Sequence, residues 1–185
     1  MVPAISGRQM TVRTSTGWVA FWRIGFGLIW LVDAWFKWQP PFLNRFVLYL
    51  SGGISPTQPP WVNSWIHFWV DVVRVDPHLF AYLLAMGETA IALGLLTGVA
   101  IRLVAMAGST LALVLWSAGE AFGGPYTAGA TDIGTAIIYV GGFGLLALIQ
   151  AGYAYGLDGT FHLTGWSWRH APETDVRGGS SPYRG

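Results

Sequence analysis

Residues 79–96 read LFAYLLAMGETAIALGLL, eighteen positions with a single charge, Glu88. A helix rises about 1.5 Å per residue, so about 20 apolar residues cross the roughly 30 Å hydrocarbon core of a bilayer. A crossing strand would instead alternate polar and apolar residues over about 9–11 positions, and this stretch does not. It reads as a transmembrane helix. Outward from it the same signature recurs. Trp18–Trp38 is interrupted only by Arg23, Asp33 and Lys37, Ala100–Ala118 only by Arg102, and Ile133–Tyr155 by no charge at all.

The composition agrees. Of 185 residues, 53% are apolar, 15% aromatic and only 10% charged, against about 25% charged in an average soluble domain. One soluble core of this size cannot hide that much apolar surface. The expected fold is all-α: an integral membrane four-helix bundle with helices at about 18–38, 79–97, 100–118 and 133–155. The membrane domain covers 18–158. A cytoplasmic segment, 1–17, precedes it and a polar cytoplasmic tail, 159–185, follows. The first apolar run is too long for a signal-peptide core and has no small-residue cleavage site after it.

Basic residues set the expected orientation. With both termini in the cytoplasm, Arg8, Arg13, Arg102, Arg169, Arg177 and Arg184 lie inside, and only Lys37, Arg45 and Arg74 lie outside. This gives a multi-pass membrane protein with both termini cytoplasmic.

The outer loop, 39–77, is too long for a bare connector. Phe42–Leu50 reads as a short helix and Ser51–Pro60 as a breaker. Trp61–Val75 has helical period, with Trp61, Trp65, Phe68, Trp69 and Val72 on one face and Ser64, His67, Asp71 and Arg74 on another. Either this helix lies in the outer membrane interface, where Trp partitions well, or it packs on the bundle or a partner protein. Trp61, Trp65 and Trp69 are its interface candidates.

A charge of +1 excludes binding of nucleic acid by bulk electrostatics. Without cysteine the chain has no thiolate nucleophile, iron–sulfur cluster or Cys-ligated zinc. His67, His78, His162 and His170 all fall outside the apolar runs, so no haem is expected, nor any metal.

Intramembrane charges are therefore the candidate chemistry, since each costs about 2.5–3.5 kcal/mol on insertion scales. Glu88 lies deepest. It either forms a structural ion pair with Arg23 or lines a pocket where it handles protons or bonds a quinone head. Asp33 and Lys37 have the spacing of a helical ion pair or form an outward-open site. Asp132 is placed to cap the fourth helix; alternatively Asp33, Lys37, Glu120 and Asp132 line one outer cavity. Ala90, Gly94 and Gly98, with Gly141, Gly142 and Gly144, permit close helix packing.

The order of motifs resembles the DoxX/DoxD family of small four-helix prokaryotic membrane proteins. Arg23-x-Gly25-x-Gly27 is followed by Asp33 and Lys37, then by Gly87-Glu88-Thr89, by Gly94–Gly98 with Arg102 beyond, and by Thr131-Asp-Ile-Gly-Thr-Ala-Ile-Ile-Tyr139. The series closes with Gly152 and Leu157-Asp158, and the long Trp-rich loop favours the DoxD branch. The resemblance implies a membrane subunit of a quinone-linked oxidoreductase, with thiosulfate:quinone chemistry and a partner subunit. By their depth and charge, Glu88, Asp33 and Lys37 would then be catalytic. Arg23, Tyr139, Glu120 and Asp132 would bind quinone or substrate, and Lys37 with Arg45 or Arg74 would attract the thiosulfate dianion. The alternative is a non-catalytic accessory subunit of a larger respiratory or photosynthetic membrane complex.

Overall fold

The computed structural model describes residues 16–124, 133–149 and 156–157. The N-terminal segment, the tail and Asp132 lie outside the described residues. The described chain is all-helical: α1 (Thr16–Lys37), α2 (Pro40–Asn44), α3 (Phe46–Ser51), α4 (Pro60–Arg74), α5 (Pro77–Thr97), α6 (Ile101–Val114), a π-helical turn (Leu115–Gly119) and α7 (Ala136–Leu148). Three spans are long and apolar enough to cross a membrane: Gly17–Lys37, Pro77–Thr97 and Ile101–Gly119. The protein is a multi-span helical membrane protein. The fourth expected span appears as α7, 13 residues or about 20 Å long. Its helix starts at Ala136, three positions after the expected Ile133.

The helix ends follow from local chemistry. Pro sits in the first turn of α2, α4 and α5, where its missing N–H costs nothing. Asp76 caps α5 by accepting from the Leu79 amide at 3.0 Å. Gly98 ends α5 in the left-handed region, φ 70°. The expected short helix at 42–50 is two helices, α2 and α3, broken at Arg45.

α1 packs chiefly on α5, and α6 on α7. Arg23, Gly27, Trp30, Ala34 and Lys37 form one buried stripe on α1, spaced three or four apart. It meets the stripe Ala81, Ala85, Glu88, Ala92 and Leu95 of α5. Gly108 gives the α6–α7 contact its closeness: a Cβ there would sit 2.2 Å from the Phe143 ring. Gly94 is likewise spent within the bundle, against Val104 of α6.

Outside these seams the surface is apolar. Trp18, Phe21, Trp22, Leu28, Ile29, Val32, Trp35 and Phe36 of α1 are all exposed, as a lipid-facing helix requires and a soluble one would not tolerate.

α4 does pack on the bundle. Val62, Ile66, Val70 and Val73 are buried in a second core with Phe46, Leu50, Ala81 and Ala118. Trp61, Trp65 and Phe68 stay exposed beside this stripe, whereas Trp69 is half-buried. The aromatic row is thus not the packing face; the aliphatic row one position further on is.

Candidate functional site

Lys37 ends the buried stripe of α1, and its ammonium lies between two carboxylates. It is 3.1 Å from Asp33 Oδ1, one turn back, and 3.4 Å from Glu88 Oε1 on α5. Glu88 is fully buried, Lys37 nearly so, and Asp33 is half-buried at the open edge. The Phe42 ring of α2 covers the ammonium, its centroid 5.5 Å away. Two turns back from Lys37, Trp30 is 1% exposed.

Hydrogen bonding within the cluster is incomplete. Lys37 donates to Asp33, but its contact with Glu88 lacks hydrogen-bond geometry, and neither Glu88 oxygen has a donor. The Trp30 indole N–H has no acceptor either. Buried polar groups are rarely left so, because each unmade bond costs about 1–3 kcal/mol. Tyr139, on α7, lies beside Trp30, ring centroids 5.7 Å apart. α1 meets α7 through rings: Phe26 and Trp30 pack on Tyr139 and Phe143 with centroids 4.9–6.4 Å apart across the four rings.

The expected Arg23–Glu88 pair does not form. The guanidinium of Arg23 donates to the carbonyls of Leu95 and Leu96, the latter at 3.1 Å, where a cation also meets the negative end of the α5 dipole. Arg23 and Lys37 lie fourteen positions apart on one stripe, about 21 Å. The helix register puts Glu88 beside the second of them.

Glu120 is committed locally as well. Its carboxylate accepts from the Ala136 amide at 3.0 and 3.3 Å and so satisfies the start of α7. The cap position is Thr135, which makes no side-chain cap bond. Asp132 itself is outside the described residues. Lys37, enclosed by two carboxylates, is not free to attract a dianion, and exposed Arg74 is bonded to Asp71 at 3.4 Å.

No family model, curated protein or solved structure matches this chain. The site must therefore be read from its own chemistry. Among the described residues, no group of three or more His, Cys, Asp or Glu side chains is placed to hold a metal. The arrangement joins two carboxylates, one cation and a nearby phenol in an apolar enclosure, the makings of a proton-handling site.

Sequence reading missed Trp30 and Phe42. Trp30 was recoverable, since it shares the stripe of Arg23 and Lys37. Phe42 was not, because its place over the ammonium depends on how the first loop folds back.

Proposed function

We propose that the chain is a DoxD-like membrane subunit of a quinone-linked oxidoreductase, with Asp33, Lys37 and Glu88 as its proton-handling group. The observation that carries this reading is Glu88: fully buried, without a hydrogen-bond donor, and sharing one cation with Asp33. Two carboxylates against one ammonium leave the cluster one positive charge short, and a proton is the smallest cation that balances it.

The α1/α7 seam is where we place the quinone: its rings pack on one another at 4.9–5.7 Å and would have to part to admit it. A quinone ring needs flat apolar walls and hydrogen-bond donors for its carbonyls. Phe26, Trp30, Tyr139 and Phe143 supply the walls. The unpaired Trp30 N–H and the Tyr139 hydroxyl supply donors. When bound, the quinone would take up electrons and protons. Glu88 holds a proton at its carboxylate, Lys37 and Asp33 set the local field, and Asp33, at the open edge, exchanges with solvent. The orientation with both termini in the cytoplasm puts this edge outside. The sulfur compound, thiosulfate in the DoxD-like reading, would react on a partner subunit, since Lys37 is enclosed.

The test is the complex extracted from its own membranes. Native mass spectrometry should recover quinone and a sulfur-oxidising partner. Glu88→Gln should lower thiosulfate-dependent quinone reduction by about 100-fold or more, the usual contribution of a positioned acid–base group, with assembly intact. Full turnover in Glu88→Gln, or a complex without quinone, would overturn the proposal.

The exposed row Trp61, Trp65 and Phe68 favours a second reading, an accessory subunit that docks α4 against another protein of a respiratory or photosynthetic complex. Aromatic anchors of this kind dominate interface energetics.

A further inference from the structure

Two cavities meet beside α3 and the π-helical turn. One is an apolar cleft of about 240 Å³, walled by Phe46, Leu83, Leu84, Leu111 and Leu115. The other is a polar pocket of about 380 Å³, walled by Ser55, Gln58 and Glu120 and kept open by Gly52, Gly53 and Gly124. Tyr49 and Gly119 belong to both walls, so the two spaces adjoin. Gly119 closes the π-helical turn, a feature that recurs at functional sites.

The two compartments ask for different chemistry. The pocket is rich in acceptors. Gln58 is only 8% exposed, yet its Oε1 accepts no hydrogen bond. Among the described residues the Glu120 carboxylate takes only the Ala136 amide and keeps lone pairs to spare. The described wall contains no Lys, Arg or His. The cleft offers the opposite: its one buried polar atom without a partner is the Trp69 indole nitrogen, a donor.

We propose that this joined cavity binds one ethanolamine-type glycerophospholipid. Its primary ammonium enters the pocket at Glu120 and Gln58, and an acyl chain lies in the cleft, with an ester carbonyl within the reach of Trp69. Charge complementarity selects the head. A trimethylammonium head has no N–H to donate. An anionic head is repelled by Glu120. A neutral sugar lacks the charge that strengthens a bond to a carboxylate. A quinone carries only acceptors and cannot satisfy Gln58 Oε1 or Glu120. The inference is independent of the redox reading, whose residues lie between α1 and α5 and at the α1/α7 seam.

The experiment uses the full-length protein in nanodiscs of equal parts phosphatidylcholine, phosphatidylethanolamine and phosphatidylglycerol, with a monoglycosyl diacylglycerol in a parallel series. Lipids that stay on the protein after gentle extraction are counted by native mass spectrometry. One phosphatidylethanolamine should be retained about tenfold over each other lipid, the preference expected of one charge-assisted hydrogen bond. Stepwise N-methylation of the head should erode that preference. Gln58→Leu should weaken it while helical content stays at the wild-type level, and Glu120→Gln provides a second variant that retains an acceptor for the Ala136 amide. Equal retention of phosphatidylcholine, preference for the anionic or sugar lipid, or a flat methylation series would overturn the proposal.

Discussion

Lys37→Met removes the one cation that Glu88 touches. The charges are 3.4 Å apart. At an effective dielectric of about 20, two unit charges at that distance attract by about 5 kcal/mol. Breaking a buried pair from one side typically costs about 3–5 kcal/mol, because the remaining charge is stranded. Glu88 has no hydrogen-bond donor to fall back on, so with Glu88 ionised the cost should sit in that range, and with Glu88 protonated it should shrink. Glu88→Leu is the gentler half of the cycle, since Lys37 keeps Asp33 at 3.1 Å; a loss of about 1 kcal/mol is expected, near that of a single hydrogen bond. The double variant, Lys37→Met with Glu88→Leu, should lie close to wild type, as apolar replacement of a whole buried pair often does. The assay is reversible unfolding in mixed micelles by denaturing-detergent titration, read by helical circular dichroism. A Lys37→Met variant within about 1 kcal/mol of wild type, or losses that simply add across the cycle, would refute the buried-pair geometry.

Other substitutions probe the rest of the bundle in the same assay. Gly108→Ala forces a methyl to within 2.2–2.5 Å of the Phe143 ring and should cost about 1–3 kcal/mol by overpacking. Arg23→Leu strips the Leu95 and Leu96 carbonyls of their donor and should cost about 1–3 kcal/mol, whereas the same change would leave Glu88 untouched. Replacing Trp61, Trp65 and Phe68 together by Ala should leave helical content and stability nearly unchanged, because these side chains are exposed; co-purification of partner subunits should fall if α4 is a docking face.

Hydropathy carried most of the fold. The runs at 18–38 and 79–97 match α1 and α5 within two residues at each end, because a span in hydrocarbon must satisfy its own backbone and is bounded by the slab it crosses. The period within Trp61–Val75 also gave α4. Contacts between helices were less legible. Arg23 and Lys37 both lie on the buried stripe, and which of them meets Glu88 depends on the sliding register of α1 against α5, fixed by close packing such as Gly27 on Leu95 and Leu96. Depth counted from a helix end does not contain that register. The use of Glu120 to satisfy the Ala136 amide was hidden for a related reason: capping rules look to the nearest upstream residue, whereas this carboxylate comes from the end of the preceding span. The π-helical turn that brings it there has no hydropathy signature.

Redox-induced infrared difference spectroscopy would test the proton-handling role of Glu88 most directly. The sample is the wild-type protein with the proposed quinone bound, compared with Glu88→Gln. Reduction should change a carboxyl band in the wild type, and that band should vanish in the variant while the quinone bands remain. A carboxyl region that is silent in the wild type, or a band that persists unchanged in Glu88→Gln, would contradict the assignment.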